Sequence, residues 1–164
     1  MAETDRPDSQ VTIVAFRAKH REAFKELNLA WLEQYFEVEP YDRIVLNDPQ
    51  NEVIKRGGHI FVAVVDDLPV GTCALLKHTP LKYELAKMGV SNAFQGVGIG
   101  RRLVETAITK ARELGAETLV LATSPKLEVA NHLYQKMGFE QVSEDVIGPL
   151  PYARHSIVMA LDLS

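Results

Sequence analysis

A single cysteine, Cys73, is all the sequence offers toward a disulfide, so no internal crosslink can form. It lies in an apolar, strand-like run, which predicts a buried thiol and a reducing, cytoplasmic setting. No apolar stretch approaches the roughly 20 residues that a membrane-spanning helix needs, so no membrane association is expected. Basic charge is also short. Lys and Arg number 18 against 22 Asp and Glu, a formal net charge of -4, which argues against a general affinity for nucleic acid. No grouping of Cys, His and carboxylates has metal-ligand spacing, so no metal is expected. The opening MAETDRPDSQ is polar and acidic and lacks the basic-then-apolar layout of a secretory signal. It reads as a flexible leader over residues 1–10, with one domain over 11–164.

What is present is ordinary for a globular chain: 164 residues, 46% hydrophobic and 24% charged. Alternation predicts a strand from Val11 to Arg17. Phe24, Leu27, Trp31, Leu32 and Tyr35 recur at helical spacing within Ala18 to Val38, and Pro40 interrupts that stretch. Short helices are expected at Asp42–Leu46 and Gln50–Lys55. The pattern then turns β-branched. His59–Val65 and Val70–Lys77 flank the turn Asp66-Asp67-Leu68-Pro69 as an antiparallel hairpin, and Leu81–Val90 follows as a third strand. Two amphipathic helices, Gly98–Leu114 and Pro125–Met137, alternate with strands at Glu117–Ala122, Phe139–Val142 and His155–Leu161. The order predicts an α/β fold: a single-domain, mixed, mostly antiparallel twisted sheet of about seven strands with helices on both faces.

The most informative segment is Gln95-Gly96-Val97-Gly98-Ile99-Gly100-Arg101, between a strand and a helix. Residues without a β-carbon let the backbone turn sharply and approach a ligand. The free N–H groups of the following helix turn, together with the helix dipole, favour an anion, most often phosphate. Gly100 is followed by Arg101-Arg102, which rejects a Gly-Lys-Ser/Thr nucleotide loop. The third glycine comes one residue too early for a dinucleotide turn, although Glu117 lies at a suitable distance for a ribose contact. The form Gln/Arg-x-x-Gly-x-Gly/Ala is met by Gln95, Gly98 and Gly100.

With Glu84-Leu85-Ala86-Lys87-Met88-Gly89-Val90 before that turn and Asn131-x-x-Tyr134-x-x-x-Gly138-Phe139 after it, the chain resembles the GNAT superfamily of N-acetyltransferases over roughly residues 11–161. The resemblance implies acetyl-CoA as co-substrate. Its diphosphate would sit on the backbone amides of Gly96, Val97, Gly98, Ile99, Gly100 and Arg101, with Gln95 completing the motif. Its pantetheine arm would lie like an added strand against backbone groups near Met88 and Val90, with Gly89 a candidate for the kink that opens that edge. Asn131 is implied as a pantetheine contact and Tyr134 as the general acid that protonates the departing thiolate. A backbone N–H near Met88 is the implied oxyanion donor. Glu84 is the candidate base, and alternation puts Glu84, Ala86, Met88 and Val90 on one face of their strand. His59, His78 and a water chain are the alternatives for that base.

On the acceptor side, Glu33, Glu37, Glu39 and Asp42 form an acidic stretch expected to attract a cationic amine, with Tyr35 beside it. Near the end, Arg154 is expected to grip an acceptor carboxylate. The implied reaction is direct transfer of acetyl to the primary amine of a small cationic metabolite. Two other readings share these residues: acetylation of a protein or peptide amine, and a module that binds acetyl-CoA without turnover. A homodimer is compatible with the resemblance.

Overall fold

The computed structural model describes residues 10–149, 152–154 and 157–164. The expected leader, apart from Gln10, and the expected strand start at His155 lie outside them. Seven strands form one sheet in the order β1-β2-β3-β4-β5-β7-β6. They are β1 (Val11–Ala15), β2 (His59–Val65), β3 (Leu68–Thr79), β4 (Lys82–Val90), β5 (Thr118–Thr123), β6 (Glu140–Val142) and β7 (Ile157–Asp162). Only β4 and β5 run parallel, joined by a crossover through α3 (Ile99–Glu113). The other pairs are antiparallel, and only β2–β3 and β3–β4 among them are joined by short turns.

Helices cover both faces. On one side α1 (Arg21–Tyr35) and α2 (Pro40–Asn47) pack Phe24, Leu32, Val45 and Leu46 against Ile60 and Ala74. On the other, α3 buries Ile99, Leu103, Val104, Ala107 and Ala111 against Ala63, Cys73, Leu75 and Leu85, and α4 (Glu128–Lys136) brings Tyr134 to the same core.

Several boundaries differ from the sequence reading for local reasons. Pro40 ends nothing by itself. It opens α2 at the first helical position, where its missing N–H costs no bond, and Glu39 and Asp42 form a reciprocal capping box around it. Pro125 is not helical but sits in the turn closed by Leu127 N–H to the Ser124 carbonyl, so α4 starts at Glu128. The β2–β3 turn is confined to Asp66 and Asp67, with φ of 50° and 66°. Two left-handed residues match the twist of a two-residue hairpin, which lets β3 begin at Leu68.

Candidate active site

The site begins with a defect in β4. Thr72 faces Gly89 and Ala74 faces Ala86, so Cys73 of β3 stands opposite both Lys87 and Met88. Two residues against one make a β-bulge, and Lys87 carries it with a φ of 52°. A left-handed non-glycine residue costs about 1–3 kcal/mol and is retained where its surroundings hold it. The extra residue reverses the alternation of everything beyond it. Glu84 and Ala86 keep the α1 face, whereas Met88 and Val90 pack toward the α3 core. The expectation that Glu84, Ala86, Met88 and Val90 share one face is therefore corrected. The kink is also not at Gly89. A Cβ there would come within 3.2 Å of the Leu27 carbonyl oxygen, so Gly89 serves the close approach of α1.

Beyond the bulge the sheet opens. The parallel pairing of β4 with β5 ends at Glu84 and Val120, while β4 continues to Val90 and β5 to Thr123. The facing edges leave a slot in which an extended ligand can pair with main-chain groups. A cavity of about 470 Å³ passes through this slot. Asn28, Trp31, Tyr41 and Asp42 line it on the α1 side, Ala130 and Tyr134 on the α4 side, and Met88 and Thr123 between.

At the far end of β4, Gly98 has φ 87° and caps α3 without any side-chain bond. The first helical bond is from Arg102 N–H to the Gly98 carbonyl. The amides of Ile99, Gly100 and Arg101 therefore have no helical acceptor and point out of the helix end. The side chains around them have other tasks. Ile99 is buried in the core, Arg101 pairs with Glu105 at 3.2 Å, and Val97 is exposed. Gln95 donates to the Val90 carbonyl at 3.3 Å and to Asn92 at 3.1 Å, tying the turn to the end of β4. Any anion held here is held by backbone, which suits a diphosphate.

Tyr134 is buried, with its ring edge-on to Phe139 at 5.9 Å, and it opens on the cavity. Burial, reinforced by the Cys73 thiol, pushes its phenol above the ordinary range, so it stays protonated. Asn131 is engaged within the protein. Its Oδ1 accepts from the Thr123 hydroxyl at 2.8 Å and its Nδ2 donates to the Ser124 carbonyl at 2.9 Å, which leaves one amide hydrogen for a ligand. Cys73 is fully buried and its thiol is pushed up to about 12, so it is inert as an acyl carrier.

Glu84 lines the cavity on the α1 face and meets His78 Nε2 at 2.7 Å. The two candidate bases are thus partners. His59 lies away from this cavity wall, and burial and then Lys110 keep its pKa below the usual histidine value.

The acidic stretch divides. Glu33 and Tyr35 line a second, shallower hollow with Glu37 and Lys126, outside the main cavity. Asp42 is fully buried in the main cavity wall, but it is not free. Arg154 donates to both of its oxygens, at 2.7 and 2.9 Å, Glu39 N–H donates at 2.8 Å, and Lys87 Nζ stands at 3.4 Å. The bidentate grip expected of Arg154 on a substrate carboxylate is therefore made on Asp42, and its Nε has no partner among the described residues. Burial alone would raise the Asp42 pKa, but the Arg154 and Glu39 bonds and the Lys87 charge bring it below the usual carboxylate range. Lys87 moves the other way for an ammonium. Burial lowers it to about 8, with Asp42 opposing only part of the effect and Arg154 adding to it. Tyr152 completes the cluster, hydrogen-bonded to Lys87 and stacked under the Arg154 guanidinium at 4.0 Å. Sequence reasoning passed over Lys87 and Tyr152. The one available signal was a charged residue set between Ala86 and Met88 in an otherwise apolar strand end.

The family model described as the acetyltransferase (GNAT) family matches residues 21–139. The uncharacterized N-acetyltransferase YvbK of Bacillus subtilis is 35% identical over 104 residues, 62% of this chain and 67% of that protein. A mycothiol acetyltransferase of Propionibacterium freudenreichii is 40% identical over 73 residues, 44% of this chain, but the match spans only 23% of that longer protein. Among solved structures, a GNAT-family acetyltransferase from Staphylococcus aureus superposes with a TM-score of 0.86 at 19% identity, covering 94% of this chain and 99% of the other. The PaiA N-acetyltransferase of Thermoplasma acidophilum in complex with coenzyme A gives 0.72 at 17% identity, covering 93% and 98%.

Proposed function

Because this chain belongs to the acetyltransferase (GNAT) family, and is thereby an acetyl-CoA-dependent N-acetyltransferase, we propose that it acetylates the primary amine of a small molecule at the β4–β5 slot. The observation that carries this reading is the slot itself: past the end of the β4–β5 pairing, Glu84–Met88 and Leu121–Thr123 line one cavity, and the helix that follows β4 starts with the unpaired amides of Ile99, Gly100 and Arg101. Acetyl-CoA supplies the activated acetyl group. The amides at the start of α3 hold its diphosphate, with Gly96 and Gly98 shaping the turn, and β4 near Met88 and Val90 pairs with its arm. Asn131 offers its remaining amide hydrogen to the same arm. An alkyl ammonium, with an ordinary pKa of about 10.4, must lose a proton before it can attack. Glu84 takes that proton, held in place by His78. Tyr134, protonated at every working pH, gives a proton to the departing sulfur.

The acceptor wall argues against a polycation. Asp42, Glu52 and Glu84 share it with Arg56, Lys77, Lys87 and Arg154, so its carboxylates are already balanced. The reading that favours a small cationic metabolite thus loses its electrostatic support, while a monoamine with an apolar body fits the Trp31, Tyr41 and Tyr152 walls. The hollow beside Arg154, lined by Glu33 and Tyr35, supports a second reading, a peptide acceptor whose chain continues out of the cavity. Free-thiol release from acetyl-CoA with aryl-alkyl amines, polyamines and N-terminal peptides separates the two.

Two measurements test the coenzyme site. Coenzyme A at a hundredfold over its Kd stabilises the fold by about 2.7 kcal/mol. NAD and ATP produce no comparable rise in Tm, and an equal rise with NAD would refute the diphosphate reading. A pair of variants checks the same site. A Cβ at Gly100 meets nothing nearer than Leu133 Cδ2 at 4.0 Å, and its φ is not left-handed. Gly100→Ala therefore adds about 0.5–1 kcal/mol of helix stability. It also keeps coenzyme A binding, since the motif admits alanine there. Gly100→Val folds but weakens coenzyme A binding about a hundredfold, roughly 2.7 kcal/mol, by filling the approach to the helix amides. Isothermal titration reads both, and unchanged affinity in the valine variant would count against the site.

A further inference from the structure

Lys87 is a buried ammonium with an incomplete counterion. Its side chain is 7% exposed, yet it lines the cavity on the bulge, next to Met88 at the slot. The carboxylate it approaches at 3.4 Å is held end-on by Arg154 at 2.7 and 2.9 Å. Two cations thus share Asp42, and the guanidinium has the better geometry. What remains to Lys87 is the Tyr152 hydroxyl, the face of the Tyr152 ring, 4.4 Å from Nζ, and the more distant charge of Glu84. With a pKa of about 8, about a tenth of Lys87 is an uncharged amine at pH 7, against under a thousandth of an ordinary lysine. The acceptor cavity therefore contains a primary amine of the protein's own, with a far larger uncharged fraction at neutral pH than an ordinary lysine has.

We propose that Lys87 is a self-acetylation site: when no acceptor amine fills the cavity, its Nζ takes the acetyl group from bound acetyl-CoA. A bond forms between Nζ and the acetyl carbonyl carbon, and the carbon–sulfur bond breaks. The uncharged Nζ gives up one proton and the departing sulfur gains one, so coenzyme A leaves as the thiol with no net proton released and no change of oxidation state. The product is an amide, stable under these conditions, so it is an end state and not a relay. It removes the cation that competes for Asp42, leaves that carboxylate to Arg154, and occupies the space an acceptor would enter. An enzyme charged with acetyl-CoA but starved of acceptor would close its own site. The inference rests on the reading of the slot as the thioester site.

The test needs only the wild-type full chain, acetyl-CoA and mass spectrometry. Incubation without any amine adds one acetyl group per chain, mapped to Lys87 in the peptide digest. Its rate rises about tenfold from pH 7 to pH 9 and levels off there, as the uncharged fraction of an amine with a pKa near 8 does. Excess coenzyme A suppresses it, Lys87→Arg abolishes it, and Gly100→Val, which keeps the lysine but loses the coenzyme, slows it about a hundredfold. Lys87 left unmodified in a protein whose Tm rises with coenzyme A overturns the inference alone. The same is true of acetyl spread over exposed lysines with Lys87 no faster. If coenzyme A leaves Tm unchanged, the slot reading fails first and the self-acetylation with it.

Discussion

Replacing Tyr134 with phenylalanine lowers kcat by about a hundred- to a thousandfold while the protein stays folded, in keeping with the usual worth of a positioned general acid. The ring is the structural part of this residue. It is buried in the α3 core and packs edge-on against Phe139 at 5.9 Å, and phenylalanine keeps both features. The hydroxyl has no hydrogen-bond partner among the described residues, so its removal breaks no protein bond. Burial raises the phenol pKa, with the Cys73 thiol adding to the effect, so no limb of the pH–rate profile between pH 6 and 9 belongs to Tyr134. The Michaelis constant for acetyl-CoA changes little, because the proposed grip on the coenzyme lies at the start of α3 and not at Tyr134. That split marks an interaction made in the transition state rather than in binding. A variant within threefold of wild-type kcat would remove Tyr134 from the reaction.

Asp42→Asn costs about 3–5 kcal/mol of stability at pH 7, the usual penalty for deleting one member of a buried charge pair. For a chain of this length that lowers Tm by on the order of 10 °C. The asparagine is isosteric, so no cavity is made. The loss comes from leaving Arg154 and Lys87 largely buried, with only Glu39 beside the one and Glu84 near the other as acidic neighbours. The pH dependence has a definite sign. The folded pKa of Asp42 lies below its unfolded value of 3.8, so its contribution is complete above that value and disappears as pH falls through the folded one. Lys87, lowered to about 8, acts at the other end: the folded state holds its proton less tightly than the unfolded chain, so stability rises between about pH 8 and 10.5. Urea denaturation from pH 2 to 7 checks the first part. Wild type loses stability more steeply than Asp42→Asn below pH 4, and parallel curves would show that the cluster carries no such energy.

The sequence by itself determined whatever depends on near neighbours. Helical spacing in Gly98–Leu114 and alternation in His59–Val65 named their elements. The glycines of 95–101 marked a sharp turn into a helix start with free amides, and the Asn131–Tyr134 spacing put two polar groups on one helix face. Seven strands with helices on both faces followed from the order of elements. Tertiary structure decided the rest. Asp42 and Arg154 are 112 residues apart, so no periodicity could show that each exhausts the charge the other was expected to offer a substrate. Lys87 acquires its depressed pKa only from burial beside them. The bulge at Lys87 and Met88 is set by how β3 and β4 pair, and it shifts the alternation by one residue. That shift turns Met88 toward the α3 core and leaves Glu84 on the α1 face, because a side chain's face in a sheet depends on its partner strand as well as on its own sequence.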